Sequence, residues 1–222
     1  MESVLAKGKE RGWLLEPEAK ELCRGYGLPV GEWAVARSAE EAAVEGAKIG
    51  YPLAVKIVSP DVVHKSDVGG VELNVGEGAV VEAFERMRRI AEGHGFRFEG
   101  ALLERMANPG VETIVGAKRD PQFGPVLMFG LGGIFVEVFK DVSFRVAPIT
   151  ELDAEEMISE LKAYPLLKGV RGRKPSDTGA LVDTLLRVSR MMVENPWIKE
   201  LDLNPVIAYE KGCRVVDARV IL

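Results

Sequence analysis

The sequence is poor in cysteine and histidine: its 222 residues include two of each. Cys23 and Cys213 are far apart, and neither has a histidine beside it in the chain. This favours two buried free thiols, which are typical of a cytoplasmic protein.

Long apolar runs are also lacking. The N-terminus carries Lys7, Lys9 and Arg11 and has no apolar core of a signal peptide. The most apolar stretch, residues 125–139, is interrupted by glycines and Glu137 and is too short to cross a bilayer. We therefore expect a cytoplasmic protein with no membrane partner.

The net charge of −5 provides no overall excess of basic residues. A nucleic-acid partner usually requires a basic face, so the composition argues against one. A local basic site for a small phosphorylated ligand remains compatible with an acidic surface.

Helical and strand patterns alternate along the chain, which predicts an α+β fold. Asn108-Pro109-Gly110 is the expected boundary between two lobes, with residues 1–108 forming N-terminal helices and a first lobe and residues 109–222 a second lobe. Helices are predicted at residues 18–26, 39–49, 80–91, 154–161 and 176–193, and strands at residues 53–58, 101–104, 113–118, 125–129, 135–139, 142–146, 198–209 and 214–220.

Lys56 lies in the segment Leu-Ala-Val-Lys-Ile-Val, where both faces of the predicted strand are apolar. A lysine in such a place either extends its ammonium to the solvent or meets an anion, because an unpaired buried charge is very costly. Both interpretations stay open for Lys56 alone.

The loop from His64 to Val71 combines a histidine, Lys65, the hydroxyl of Ser66 and the pair Gly69-Gly70. A cation, a hydroxyl and backbone N–H groups at paired glycines can bind phosphate oxygens. The other histidine, His94, lies between two glycines and is expected at the surface. The loop is a candidate phosphate site, although a simple turn explains the glycines equally well.

Two carboxylates flank the predicted lobe boundary. Glu104 ends one strand and Glu112 begins the next, so both are expected at one rim, as ligand contacts or as solvated edge charges. Met106 and Ala107 can offer backbone groups and apolar contact to an adenine, although core packing explains a methionine as easily.

The C-terminal segment Glu200-Leu201-Asp202-Leu203-Asn204 places its leucines on one face of a strand and its oxygen-bearing residues on the other. A hairpin turn at Glu210-Lys211 would set Asn204 opposite Asp217, with Cβ atoms about 5 Å apart. An amide oxygen and a carboxylate at that spacing suit Mg²⁺, which takes few protein ligands. An exposed polar pair is the alternative.

The basic loop at residues 168–174 is either a solvated connection or a surface for phosphate or a partner.

Four motifs closely resemble the ATP-grasp subunit of ADP-forming acetate–CoA ligases, and more distantly the nucleotide-binding subunit of succinate–CoA ligases. The resemblance runs from EPEAKELCRGYGLPV (residues 16–30) to the end of the chain. The motifs are SPDVVHKSDVGGV, LLERMANPGVETIVGAKRDPQFGPVLMFGLGG, YPLLKGVRG and IKELDLNPV.

The resemblance implies an ATP-grasp fold and a reversible reaction in which acyl-CoA, ADP and phosphate yield an acid, CoA and ATP. It assigns Lys56, Lys65 and Ser66 to phosphates, Asn204 and Asp217 to Mg²⁺, and His64 to a second phosphohistidine. It further assigns Glu104, Met106, Ala107 and Glu112 to nucleotide binding. A histidine at position 64 favours the acetate-type enzyme, because succinate–CoA ligases have a glycine-rich loop at that position.

The same resemblance implies a partner: a CoA-binding α subunit that carries its own phosphohistidine, in an α2β2 assembly. A stand-alone ATP-grasp carboxylate–amine ligase, which needs no histidine nucleophile, and a non-catalytic nucleotide-sensing subunit are the alternatives.

Overall fold

The computed structural model describes residue 6 and residues 8–133, 140–170, 172 and 174–222. These residues form two compact units. The large unit contains the described residues of Met1–Leu14 together with Glu18–Val30 and Pro109–Leu222, and the small unit contains Leu15–Pro17 and Gly31–Asn108.

The N-terminal helix differs from the expected division of the chain. Ala19, Leu22, Cys23 and Tyr26 are buried in the hydrophobic core of the large unit, so the segment Glu18–Val30 belongs with Pro109–Leu222 and not with a first lobe. Its apolar face requires a core to cover it, and the core that does so lies far along the chain.

The small unit is a four-stranded antiparallel sheet with two helices. The strand order is β2-β5-β3-β4, and the central strand β3 is buried along its whole length. Its elements are β2 (Trp33–Ala36), α2 (Ala39–Ile49), β3 (Leu53–Val58), β4 (Val71–Val75), α3 (Val80–His94) and β5 (Gly100–Arg105).

The large unit is built on a seven-stranded sheet in the order β1-β11-β9-β6-β7-β8, with β10 also pairing with β9. Every pairing of these strands is antiparallel. Its elements are β1 (Trp13–Leu14), α1 (Glu16–Gly25, which begins in the small unit), β6 (Val111–Asp120), β7 (Gly124–Leu131), β8 (Val142–Val146), α4 (Glu151–Ser159), α5 (Thr178–Glu194), β9 (Glu200–Ala208), β10 (Cys213–Val215) and β11 (Ala218–Ile221).

The predicted alternation along β9 is confirmed. Leu201 and Leu203 are buried in the core of the large unit, and Glu200, Asp202 and Asn204 lie on the opposite face, where Asn204 is exposed. A strand packed on one side only gives this two-residue period.

Several element boundaries differ from the sequence-based expectation. The strands β1 and β2 carry no clear alternation and were not expected. Strand β4 was not expected either, although its sequence Val-Glu-Leu-Asn-Val alternates, and the last predicted strand divides into β10 and β11. Helix α3 continues beyond the predicted residue 91 to His94, and the positive φ of Gly95 closes it. The strand predicted at residues 135–139 lies outside the described residues. Every helix in the described part of the chain is too short or too polar to cross a membrane.

Asp177 connects the start of α5 to the C-terminal hairpin. Its carboxylate accepts hydrogen bonds from the N–H of Ala180 at 3.0 Å and from the N–H of Gly212 at 2.8 Å. These two backbone donors hold the pKa of Asp177 below its usual value. One side chain thus caps a helix and fixes the turn between β9 and β10.

We predict that Asp177→Ala lowers the free energy of unfolding by about 1–2 kcal/mol at neutral pH, as for the loss of a helix cap. A lowered pKa contributes its full stability above the unfolded-state pKa of about 3.9, and this contribution declines below that pH until it is lost below the lowered pKa of the folded state. The stabilities of the two proteins, measured by urea unfolding, should therefore approach each other as the pH falls below about 4 and converge only below the folded-state pKa. Asp183→Ala, which removes an exposed carboxylate from the same helix, is the control. Equal loss at neutral and acidic pH would contradict the assignment.

Candidate functional site

Lys56 lies on the central strand of the small unit and is only 4% exposed. Its ammonium is 2.5 Å from Oε1 of Glu16 and 3.4 Å from Oε2 of Glu104. Glu104 is 1% exposed. The interpretation in which Lys56 extends to the solvent is therefore wrong: two buried carboxylates neutralise it in place.

Lys65 contacts the same carboxylate from the adjacent loop. Its Nζ is 3.0 Å from Oε2 of Glu16, and its side chain retains 15% exposure. Glu16 therefore bridges the two lysines, one through each oxygen. We call Glu16, Lys56, Lys65 and Glu104 the lysine–glutamate cluster; it contains two positive and two negative groups.

Backbone hydrogen bonds hold the loop of Lys65 against β3. The N–H of Ile57 donates to Gly70 O at 2.8 Å, and the N–H of Gly70 donates to Lys65 O at 2.7 Å. A Cβ added at Gly70 would lie 2.5 Å from Cγ2 of Ile57, so the close approach requires a glycine. This contact places Lys65 beside the strand that carries Lys56.

The glycine amides of this loop do not have the expected role. The N–H of Gly69 donates to Ser66 O at 3.1 Å, and that of Gly70 donates to Lys65 O. A short 3₁₀ turn at Ser66–Val68 followed by left-handed Gly69 closes the loop on itself. These two donors are used inside the loop and do not face an anion.

His64 and Ser66 are both exposed at the tip of this loop, on either side of Lys65. An exposed imidazole is accessible to a reactant that approaches from the solvent. The loop therefore presents an accessible nucleophile and hydroxyl beside a lysine that is anchored from within.

The candidate nucleotide contacts beyond the loop have different environments. Glu104 is buried and paired with Lys56, so it is not a solvated edge charge. Met106 and Ala107 follow β5 and are half-buried, and the N–H of Met106 donates to Pro52 O at 2.9 Å. Glu112 is exposed on β6 of the large unit. The sequence placed Glu104 and Glu112 at one rim, and the structure places them in different units.

Asn204 and Asp217 lie opposite each other in the large unit. The N–H of Asn204 donates to Asp217 O at 3.3 Å, between the paired residues Leu203–Ala218 and Val206–Val215. The predicted pairing across the hairpin is therefore confirmed. Oδ1 of Asp217 also accepts a hydrogen bond from the N–H of Ala218 at 3.0 Å, which orients the carboxylate.

The donor set of this pair fits Mg²⁺. It offers one amide oxygen and one carboxylate on a polar sheet face. Among the described residues, no group of three or more His, Cys, Asp or Glu side chains is placed to hold a metal. Mg²⁺ commonly binds to one or two protein oxygens and completes its octahedron with phosphates and water.

The same face of the large sheet continues into a cavity of about 710 Å³. Arg219 lies in this cavity and bonds to Glu200 at 2.8 Å, with Asp202 3.7 Å away. Its apolar part includes Met128 and the exposed Phe144. The polar face of β9 therefore opens onto a concave surface.

Sequence reasoning missed two buried residues on α1. Glu16 is 40 residues from Lys56 and resembles any acidic residue at the start of a helix. Lys20 is completely buried and donates to Val216 O at 2.6 Å, directly before Asp217. The signal that could have revealed both is the charged segment Glu-Pro-Glu-Ala-Lys at the start of an otherwise apolar helix face.

In the basic loop at residues 168–174, the two described lysines make local contacts. Lys174 pairs with Glu210 at 2.9 Å, and Lys168 lies 5.2 Å from the ring centre of Tyr164. Arg171 and Arg173 lie outside the described residues. Both described lysines contact neighbouring side chains at the surface of the large unit.

A family model of the ATP-grasp domain matches residues 5–222. The chain belongs to the ATP-grasp family. A curated relative, the β subunit of ADP-forming acetate–CoA ligase I from Pyrococcus furiosus, is 52% identical over 99% of this chain and 96% of its own length. The resemblance inferred from the motifs is thereby confirmed: the chain belongs with these β subunits.

The length of the relatives varies. The ADP-forming acetate–CoA ligase I of Archaeoglobus fulgidus is 50% identical over all of this chain, which spans only 32% of that protein. The same region thus occurs both as most of a separate subunit and as about a third of a longer chain.

Solved structures confirm the fold. An acetyl-coenzyme A synthetase of Candidatus Korarchaeum cryptofilum in complex with coenzyme A and Ca-AMPCP has a TM-score of 0.95 and 54% identity, covering 99% of this chain and 98% of its own. Its complex with coenzyme A and Mg-AMPPCP has a TM-score of 0.86, 53% identity and the same coverage, and is described with a phosphohistidine segment pointing towards the nucleotide-binding site.

We predict that Lys56→Met destabilises the small unit by about 3–5 kcal/mol, because it leaves two buried carboxylates without their central cation. A lysine that merely extended to the solvent would lose little. Chemical unfolding measures the difference. Lys48→Met is the control, since Lys48 has a 64% exposed side chain and pairs with its helix neighbour Glu45. Similar stability of the two variants would contradict the buried-pair interpretation.

Proposed function

We propose that this chain is the nucleotide-binding subunit of an ADP-forming acetate–CoA ligase and that it transfers a phosphoryl group between His64 and ADP. The observation that carries the proposal is the loop in which the exposed His64 stands beside Lys65, whose ammonium is held by the buried Glu16. The near full-length relatives named as β subunits of this ligase support it.

In the small unit, Lys56, Lys65 and Ser66 bind the phosphates of the nucleotide. Lys65 is the more accessible of the two lysines, and Ser66 is exposed beside it. Phosphoryl transfer is catalysed mainly by positioning and by stabilising negative charge on the moving group, which is the role of these side chains.

Glu104, Met106, Ala107 and Glu112 line the adenosine. The segment after β5 supplies the half-buried Met106 and Ala107, whose side chains give the base an apolar contact. Glu104 also orients Lys56 through its carboxylate. Glu112 contributes from the start of β6.

In the large unit, Asn204 and Asp217 hold Mg²⁺. A Mg²⁺ ion held there would offset the negative charge of the phosphates. Asp217 supplies the carboxylate and Asn204 a neutral oxygen, so the protein ligands themselves carry a single negative charge. The Korarchaeum relative described with Mg-AMPPCP supports this choice of metal.

His64 carries the phosphoryl group between two sites. In the ATP-forming direction, a terminal oxygen of ADP forms the new P–O bond as the P–N bond of phosphorylated His64 breaks, and the released imidazole nitrogen takes up a proton from the solvent. A covalent intermediate divides one difficult transfer into two easier ones. The relatives at 50–52% identity are named acetate–CoA ligases, whereas one at 44% is named for 4-hydroxybutyrate, so acetate is the proposed acid.

The complete reaction requires a second subunit, a CoA-binding α subunit with its own phosphohistidine, assembled as α2β2. The relative named as a separate β subunit and the longer A. fulgidus ligase, of which this chain spans 32%, support a partner. We place the complex in the cytoplasm, where its nucleotide and CoA substrates are available.

We predict that Asp217→Ala loses most Mg²⁺-dependent ADP binding, with a fall in affinity of at least about tenfold, equivalent to about 1.4 kcal/mol. Stability should change little, because this carboxylate lies at the half-exposed end of a strand. Calorimetric titration with ADP, with and without Mg²⁺, measures the ADP affinity and its dependence on the metal. Asp183→Ala is the control. Unchanged metal dependence in Asp217→Ala would remove the metal assignment.

We predict that His64→Asn, mixed with the partner subunit and γ-³²P-labelled ATP, leaves both subunits unlabelled. Asparagine retains a hydrogen-bonding group and removes the nucleophile, so ADP binding should persist. His94→Asn, which replaces the other histidine, should behave as wild type. Labelling of the partner at the normal rate would show that His64 is not an obligatory carrier. Turnover of acetate and CoA by the wild-type chain alone would contradict the need for a partner.

A further inference from the structure

The lysine–glutamate cluster contains a carboxylate that the proposed function does not use. Glu16 is buried, and its two oxygens contact the two lysines that we assign to phosphate. A nucleotide phosphate is also an anion and would occupy the same cations. Nucleotide and Glu16 therefore compete for Lys56 and Lys65.

We infer that Glu16 is an internal counter-anion: it neutralises and positions the two lysines before nucleotide binds, and the phosphates displace it. This inference rests on the proposed function, because it requires that these lysines bind phosphate. It adds a residue that sets the affinity for the charged part of the ligand.

The geometry favours displacement from Lys65 over displacement from Lys56. Lys56 has a second carboxylate, Glu104, at 3.4 Å, and is enclosed on the central strand. Lys65 has a more exposed side chain and comes from a loop. A phosphate that takes over Lys65 leaves Lys56 paired with Glu104, so no buried cation loses all its anionic partners.

The energetic consequence follows from linkage. The contact between Glu16 and the lysines stabilises only the nucleotide-free state to its full extent. Removing the negative charge of Glu16 therefore destabilises the nucleotide-free state more than the bound state. This difference in free energy makes nucleotide binding tighter. A purely structural residue would destabilise both states equally.

The test is Glu16→Gln, which keeps the size of the side chain and removes its charge. We expect the ADP affinity to rise on the order of tenfold, the change that corresponds to about 1.4 kcal/mol. The midpoint of thermal unfolding should fall without ligand, while the upward shift caused by saturating ADP should be larger than in wild type. Adenosine, which lacks phosphates, should bind the variant and the wild type equally.

Glu18→Gln is the matched control, because Glu18 lies on the same helical turn and pairs with Arg11 in the large unit. Glu16→Asp keeps the charge but is one methylene shorter, so it should fold and shift ADP affinity in the same direction by a smaller factor. It provides the test if Glu16→Gln fails to fold.

Three outcomes are distinguishable. Tighter binding of ADP, with unchanged binding of adenosine, supports the counter-anion. Equal or weaker ADP binding by the Glu16 variants, with normal binding by the wild type, overturns it and leaves the proposed function intact. Failure of the wild-type chain to bind ADP at all overturns the proposed function and the role of Glu16 with it.

Discussion

The constraint on which the small unit depends is the burial of a lysine in the middle of its sheet. Lys56 occupies the central strand, where an ammonium without partners would be prohibitively costly. Two carboxylates must therefore reach it, one from the neighbouring strand β5 and one from the start of α1. The segment Leu15–Pro17, which carries Glu16, belongs to the small unit, although its chain neighbours belong to the large one.

The same arrangement explains how the loop of His64 is positioned. Gly70 allows close contact with Ile57, and Glu16 binds Lys65 from inside. The exposed His64 thus lies in a segment that is held by backbone hydrogen bonds and by an ion pair. A reactive group benefits from such anchoring because productive transfer requires a narrow range of geometry.

Sequence patterns predicted what depends on local periodicity and missed what depends on distant contacts. The burial of β3 and the alternation of β9 follow from residues within one strand, and the opposition of Asn204 and Asp217 follows from a hairpin. The contact between Glu16 and Lys56 joins residues 40 positions apart and has no local signature. The glycine amides at Gly69 and Gly70 were assigned to phosphate because composition does not reveal that the loop closes on itself.

The large unit also contains a buried lysine, Lys20. It is completely buried, and its ammonium donates to Val216 O, the carbonyl that precedes Asp217. The backbone of Val216 is also held by its N–H, which donates to Pro205 O at 3.0 Å, next to Asn204. A buried cation thus binds the carbonyl that precedes Asp217, and the N–H of the same residue bonds to the carbonyl that follows Asn204. In each unit a buried lysine thus contacts the candidate site residues or their backbone: Lys56 contacts Glu104, and Lys20 contacts the carbonyl that precedes Asp217.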